Sequence, residues 1–254
     1  MSGPVQVSKL DGYVRITLDH PPLNVLTNAG LAALADAFSE AGADPATRLI
    51  RLDANGKAFS AGVDVGDHLG DKVHTMMREL ARLFDTIDDL EQPTVATVRG
   101  VCLGGGCELI AAMDLCYAGE AATFGQPEIR LGLFAPPASV LLPRLIGERR
   151  AFELLLSGAT ISAIRAAEIG LVNRVFPDDR LEEEVDAVCG TLLAHSGVAL
   201  RQAKKAVRLA RGLSNVEAHR KVHRLYMDEL MQTKDAHEGL SAFLQKRSAA
   251  WRHE

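Results

Sequence analysis

The run Thr94-Val95-Ala96-Thr97-Val98 is β-branched at four of its five positions and carries no charge. Such a strand has no charged side to turn towards water, so it belongs inside a sheet covered on both faces. Parallel sheets are covered in this way, because the helix that joins two parallel strands lies on the sheet face. The flanking sequence repeats the theme. Val14-Arg15-Ile16-Thr17-Leu18 alternates with period two, and residues 49–54 read as a second strand closed by the turn pair Asn55-Gly56. Between them, residues 27–43 place Leu31, Leu34, Ala35 and Phe38 on one helical face. Residues 57–70 read as a Gly- and Asp-rich loop with a short helical piece. A helix over 72–90, ended by Pro93, leads into the Thr94 strand.

After that strand Gly104-Gly105-Gly106 interrupts the chain, a helix follows over 107–113, and residues 115–118 form another strand. Alternating strands and helices predict parallel pairing through right-handed crossovers. Beyond about residue 144 the strand signal fades. Helices are expected over 148–156, 163–169 with Ser162 as N-cap, 181–194, 199–211, 216–231 and 237–247. The fold class is therefore α/β with an α-helical C-terminal region, divided into residues 1–195 and 196–254.

Charge and cysteine usage narrow the function. With 28 Lys and Arg against 33 Asp and Glu, the formal net charge is −5, which argues against nucleic-acid binding. The basic residues Arg201, Lys204, Lys205, Arg208 and Arg211 recur at helical spacing and read as a solvated or subunit-facing surface. Cys102, Cys107, Cys116 and Cys189 form no CxxC pair and read as buried thiols of a reducing compartment. No metal-binding spacing such as HExxH occurs. Residues 1–11 lack the basic prelude and apolar stretch of a signal peptide, and no run of about 18 apolar residues exists. A cytoplasmic protein without membrane or metal is expected.

Three segments carry the chemistry: Ala58-Phe59-Ser60-Ala61-Gly62-Val63-Asp64-Val65, Cys102-Leu103-Gly104-Gly105-Gly106-Cys107-Glu108-Leu109, and Phe124-Gly125-Gln126-Pro127-Glu128-Ile129-Arg130-Leu131-Gly132. In the second, glycines between a strand and a helix let backbone approach a ligand. The helix start offers unpaired N–H groups to an oxygen that gains negative charge. Glu108 follows in the first turn, where an acid also suits the helix itself. The GxGxxG spacing of dinucleotide sites is absent. In the third, Glu128 sits among Phe124, Ile129, Leu131, Leu133 and Phe134, so desolvation would fit it for proton transfer; pairing with Arg130 is the bland alternative. In the first, Ser60 lacks the GxSxG elbow of a nucleophile. Asp64 reads as the cap of a short helix, and His68 as solvent-facing or structural.

Together, and in this order, the three segments resemble the crotonase (enoyl-CoA hydratase/isomerase) family, over nearly the whole chain. The resemblance implies a spiral of ββα turns with a C-terminal helical region that assembles trimers or dimers of trimers. It implies an oxyanion hole from the N–H groups of Val63 and Gly105. Glu108 would help activate water and Glu128 would supply the proton at the α-carbon. Coenzyme A would pass along Ala61, Gly62, Asp64, Val65 and Gly66, with Gly104 and Phe134 at the acyl end, and Phe243 and Lys246 would reach the coenzyme A of a neighbouring subunit. Gly66 stands where many members have a lysine. The only partner molecule implied is the acyl-CoA substrate, and no cofactor. Residues 131–139, 225–231 and 238–247 are similar to cyclohexa-1,5-diene-1-carbonyl-CoA hydratases, enzymes of anaerobic aromatic-acid degradation. There Phe134, Pro136 and Pro137 replace glycines and stiffen one wall. A double-bond isomerase, a hydratase of short-chain fatty-acid β-oxidation and an RNA-binding relative are the alternatives; the presence of both glutamates favours hydration.

Overall fold

The computed structural model describes residues 3–254. They form two compact units: the chain up to Leu90 together with Thr94–Ala187, and Glu91–Pro93 together with Val188–Glu254. The first unit holds two sheets. The larger has the order β1 (Val5–Leu10), β2 (Tyr13–Leu18), β3 (Leu49–Ala54), β5 (Thr94–Val98), β7 (Leu115–Gly119) and β10 (Arg174–Phe176). All its pairings are parallel except β1 with β2. The smaller sheet consists of four three-residue strands in the order β4 (Ala58–Ser60), β6 (Val101–Leu103), β8 (Thr123–Gly125) and β9 (Thr160–Ser162).

The chain alternates between the two sheets. Strand β3, then β4, then α2 (Lys72–Asp89) make one turn; β5, β6 and α3 (Gly105–Ala112) make the next; β7, β8 and α4 (Pro136–Ile146) make a third. This is the expected ββα spiral. β5 is buried at all five positions. Its threonines survive there because they are paired: Thr94 Oγ1 donates to Asp114 (2.9 Å), and Thr97 Oγ1 accepts from Arg51 Nε (3.0 Å). Helix α1 (Asn28–Ala43) starts where Thr27 accepts from Gly30 N, and it packs on α2. Leu31, Leu34 and Phe38 of α1 and Leu83 and Ile87 of α2 are fully buried, each worth about 1.5–3 kcal/mol against exposure.

Several elements depart from expectation. β1 and the short strands β4, β6, β8, β9 and β10 lie where no strand was expected, and α4 follows a stretch read only as a wall. Helix α3 begins at Gly105 rather than 107, so two of the three glycines lie inside its first turn. In the second unit, α8 (Gly197–Leu209) and α10 (Lys234–Leu244) start earlier than expected because Ser196 and Thr233 cap them. The helix expected over 216–231 is α9 (Asn215–Arg224), entered through a Ser214–Glu217 capping box. It then widens into a π turn over Leu225–Glu229 and ends in a 3₁₀ turn over Leu230–Gln232. The C-terminal tail is tied down by Trp251 Nε1, which donates to Ala194 O (2.8 Å). The Asp235 carboxylate also holds it, accepting from Arg252 N and His253 N.

An ion cluster is buried in the large sheet. Arg51 on β3 is wholly inaccessible. Its guanidinium meets Asp53 (2.8 Å) and Asp186 (2.5 Å), the latter on α7 (Leu181–Leu193). Arg15 on β2 shares the same acids. Burial raises the Asp53 carboxyl despite these neighbours, so the cluster depends on staying complete. Arg51→Ala should therefore lower the unfolding free energy by about 3–5 kcal/mol, read from urea denaturation; a loss below ~1 kcal/mol would show that the cluster is not the constraint described.

Candidate active site

Strand β6 pairs in parallel with β4 (Ala58↔Val101) and with β8 (Leu103↔Gly125). Each of the three chemical segments thus leaves the C-terminal end of one of three neighbouring strands, where ligands of open α/β sheets collect. Gly104 N donates to Gly125 O (3.0 Å), which ties the glycine turn directly to the strand that leads to Glu128.

The loop after β4 is held from the side by residues 23–26. Ala61 N donates to Leu23 O, Leu26 N to Gly62 O, and Asp64 N to Leu26 O, all within 3.0 Å. Buried Asn24 anchors this strip through its side-chain amide, which donates to Asn55 O and Ala58 O (2.8 Å each). Ser60 is structural: its hydroxyl donates to Asn24 O and accepts from Gly62 N. Asp64 caps the 3₁₀ turn Val65–His68, as expected, accepting from Gly66 N at 2.7 Å and Asp67 N at 3.2 Å. Val65 and Gly66 are exposed on that turn.

Two backbone N–H groups lie where the loop approaches the helix start. The Val63 and Gly105 N–H groups donate to no backbone carbonyl among the described residues. A Cβ on Gly105 would lie 3.3 Å from Val63 N and 2.7 Å from its Cγ2, so the two turns approach closely enough only with glycine there. Gly104 has φ 49°, and a Cβ on it would sit 2.7 Å from Glu128 Oε1. The glycine turn, its amides and Glu128 therefore share one site.

Glu108 is 2% exposed, in the first turn of α3. Its Oε1 accepts from Ala138 N in the first turn of α4 (3.0 Å). Burial pushes its carboxyl up to about 8; the Ala138 N–H acts against this, and the negative charge of Glu128 adds to it. Glu128 follows Pro127 in the 3₁₀ turn Pro127–Leu131. Burial raises its carboxyl too, opposed by its own backbone N–H and by His68. Gln126 is buried, and with its amide nitrogen turned towards Glu128 it donates to both carboxylate oxygens at 3.1 and 3.2 Å. Two acids in unlike surroundings, close enough to feel each other, can hold one proton between them.

Three contributors had no sequence signal that singled them out. Ala138 acts through its backbone. Asn24 lies in a loop with no chemical motif. Gln126 stands inside the quoted third segment but carries no charge. His68, expected to be solvent-facing or structural, is half-buried, with Nδ1 2.9 Å from Asp64 O, and it opposes the rise of the Glu128 carboxyl. Phe134 is 71% exposed just before α4. Phe243 and Lys246 lie in the second unit: Phe243 is 82% exposed near the end of α10, and Lys246 follows with φ 56°. In the basic cluster of α8, Lys204 donates to Gln92 O and Lys205 meets Glu229, which spends part of its charge within the unit. Among the described residues no group of three or more His, Cys, Asp or Glu is arranged to hold a metal, and no helix is long and apolar enough to cross a membrane.

A family model described as enoyl-CoA hydratase/isomerase matches residues 9–254. The chain is 39% identical to a cyclohexa-1,5-dienecarbonyl-CoA hydratase of Thauera aromatica, covering 98% of this chain and 97% of that one. It is 34% identical to a 2,3-dehydroadipyl-CoA hydratase of Escherichia coli, covering 95% and 96%. The structure of an enoyl-CoA hydratase from Mycobacterium smegmatis superposes with a TM-score of 0.93 at 32% identity, covering 98% and 99%.

The raised Glu108 carboxyl makes stability depend on pH. Its folded value, about 8, lies above the ordinary 4.5, so the folded chain binds this proton more tightly. The associated stability is complete below about pH 4.5 and is lost as pH rises through about 8. Glu108→Gln cannot ionise, so its melting temperature should gain on wild type between about pH 4.5 and pH 8. A constant difference across that range, in thermal scans, would mean Glu108 titrates normally.

Proposed function

The chain belongs to the enoyl-CoA hydratase/isomerase family, and from that premise we propose how its residues divide the work. It is an enzyme of the enoyl-CoA hydratase type, a hydro-lyase acting on an acyl-CoA thioester. The observation that carries the residue-level reading is the convergence of Glu108, Glu128 and the free Val63 and Gly105 N–H groups at the ends of β4, β6 and β8.

In this reading the thioester carbonyl oxygen lies between the Val63 and Gly105 N–H groups, which stabilise the negative charge of the enolate-like state. Water sits between the two carboxyls. The ionised one takes a proton from it, its oxygen bonds to the β-position of the conjugated system, and the protonated carboxyl gives its proton to the α-carbon. The pair then holds one proton as before, on the other partner. Gln126 and Ala138 hold the carboxyls in place. No cofactor is needed beyond the coenzyme A of the substrate. Ala61, Gly62, Asp64, Val65 and Gly66 border the coenzyme A path, and Phe243 and Lys246 cover coenzyme A from the second unit of a neighbouring subunit.

We further infer a cyclic conjugated dienoyl thioester as substrate. The likeness to the Thauera aromatica protein supports this, as does the apolar, proline-stiffened stretch from Phe134 to Pro137. A homotrimer or dimer of trimers is supported by the apolar surface of the second unit. Tyr226, Leu240, Phe243 and Leu244 are all more than half exposed there. A cytoplasmic setting suits four buried cysteines that form no disulfide.

Loss of conjugated absorbance, followed with crotonyl-CoA beside cyclohexa-1,5-diene-1-carbonyl-CoA, should show preference for the cyclic substrate; preference for the straight chain sinks that part of the reading. Glu108→Gln and Glu128→Gln should each lower turnover by about 10²–10⁴ with substrate binding retained. Gly105→Ala, whose Cβ would push Val63 aside, should cost about 10²–10³. Near wild-type turnover in any of the three would remove that residue from its role.

A further inference from the structure

Helix α4 begins with Pro136 and Pro137 at its first two positions, behind an N-cap, Ala135, that has no side-chain acceptor. Its first intrahelical bond runs from Ser139 N to Ala135 O at 3.0 Å. An ordinary helix start offers free N–H groups at positions one, two and three, and a carboxylate placed there accepts two or three of them and is fixed as an anion. Proline has no N–H, so two of these donors are deleted here. The third, Ala138 N, goes to Glu108 Oε1 at 3.0 Å. A Ser, Thr or Asp at the N-cap would compete for it, and alanine does not. Ala135, Ala138 and Glu108 are all 2% exposed or less, so bulk solvent has little access to this helix start. Glu108 has no other protein donor among the described residues. Glu128 by contrast has the Gln126 amide and its own backbone N–H.

We propose that Pro136 and Pro137 are positioning residues for the reaction: by deleting the first two N–H groups of α4 they leave Ala138 as the sole backbone donor to Glu108, whose carboxyl then exchanges a proton with the bound water instead of resting as a fixed anion. The proposal rests on the reading of Glu108 and Glu128 as the acid/base pair. Proline at these positions also fixes the helix start, so the one remaining N–H keeps its aim. A base that can take up and release a proton near neutral pH is the most effective one there.

Two opposite perturbations test it. Pro137→Ala adds a donor, and Ala135→Ser draws the existing one away. The Glu108 carboxyl is followed by ¹³C NMR of the full-length protein, with its signal identified by its loss in Glu108→Gln, alongside the pH profile of kcat/KM with crotonyl-CoA. Pro137→Ala should move both the titration and the acid limb to lower pH by on the order of one pH unit. Ala135→Ser should move both to higher pH. Pro143→Ala, further along the same helix, should move neither. A wild-type enzyme that hydrates crotonyl-CoA while the titration stays put in folded Pro137→Ala and Ala135→Ser overturns the proposal. Titrations that move in a protein with no hydratase activity overturn the acid/base reading beneath it and uphold the donor count at Glu108.

Discussion

Everything at the candidate site depends on the parallel register of three strands only three residues long. β4, β6 and β8 pair side by side, and their C-terminal ends deliver the Val63 amide, the Gly105 amide with Glu108, and Glu128. A slip of one residue in this small sheet would reverse the faces and separate the groups. The strands are too short to fix their own register. They are fixed because each follows a strand of the large sheet, and because single bonds such as Gly104 N to Gly125 O tie one turn to the next. Close contacts across the turns then leave no room for a Cβ at Gly104 or Gly105, which would lie 2.7 Å from Glu128 Oε1 or Val63 Cγ2.

The site is electrostatically uneven by construction. Desolvation raises both carboxyls, that of buried Glu108 and that of half-buried Glu128, yet donors are distributed unequally between them. A shared proton has somewhere to rest and somewhere to go. Equal surroundings would give two acids with matching proton affinity and no stable division between proton holder and proton acceptor.

Long elements with a strong pattern were legible in the sequence. The alternation in 14–18, the apolar face of 27–43 and the β-branched run at 94–98 correspond to β2, α1 and β5 within a residue or two. The three-residue strands were not legible, since a period of two cannot be established over three residues. β1 was hidden by exposure: most of its residues face solvent, so it carries no buried periodicity. Glu108 and Glu128 each had a bland reading when taken alone, and they became a pair only when the three segments were read together. The donors that tune them were not legible, since Ala138 uses its backbone and Gln126 only an amide. α4 was masked by its own start, because its two consecutive prolines were read as a stiff wall although the first turn is where a helix tolerates them.

The Arg51 cluster has a consequence for the order in which the chain is made. Along the large sheet, β2, β3, β5, β7 and β10 are neighbours in the order of synthesis, so each new strand can dock on the edge left by the one before. The charge in its middle does not follow that order. Arg51 has Asp53 beside it from the outset, but Asp186 arrives 135 residues later. When the chain has been made as far as β7, Asp53 is present beside Arg51 and Arg15, while Glu182 and Asp186 are still to come. Only with α7 are all the acids of the cluster present in the chain, so the last stretch of the first unit carries the charges that balance a guanidinium buried near its start.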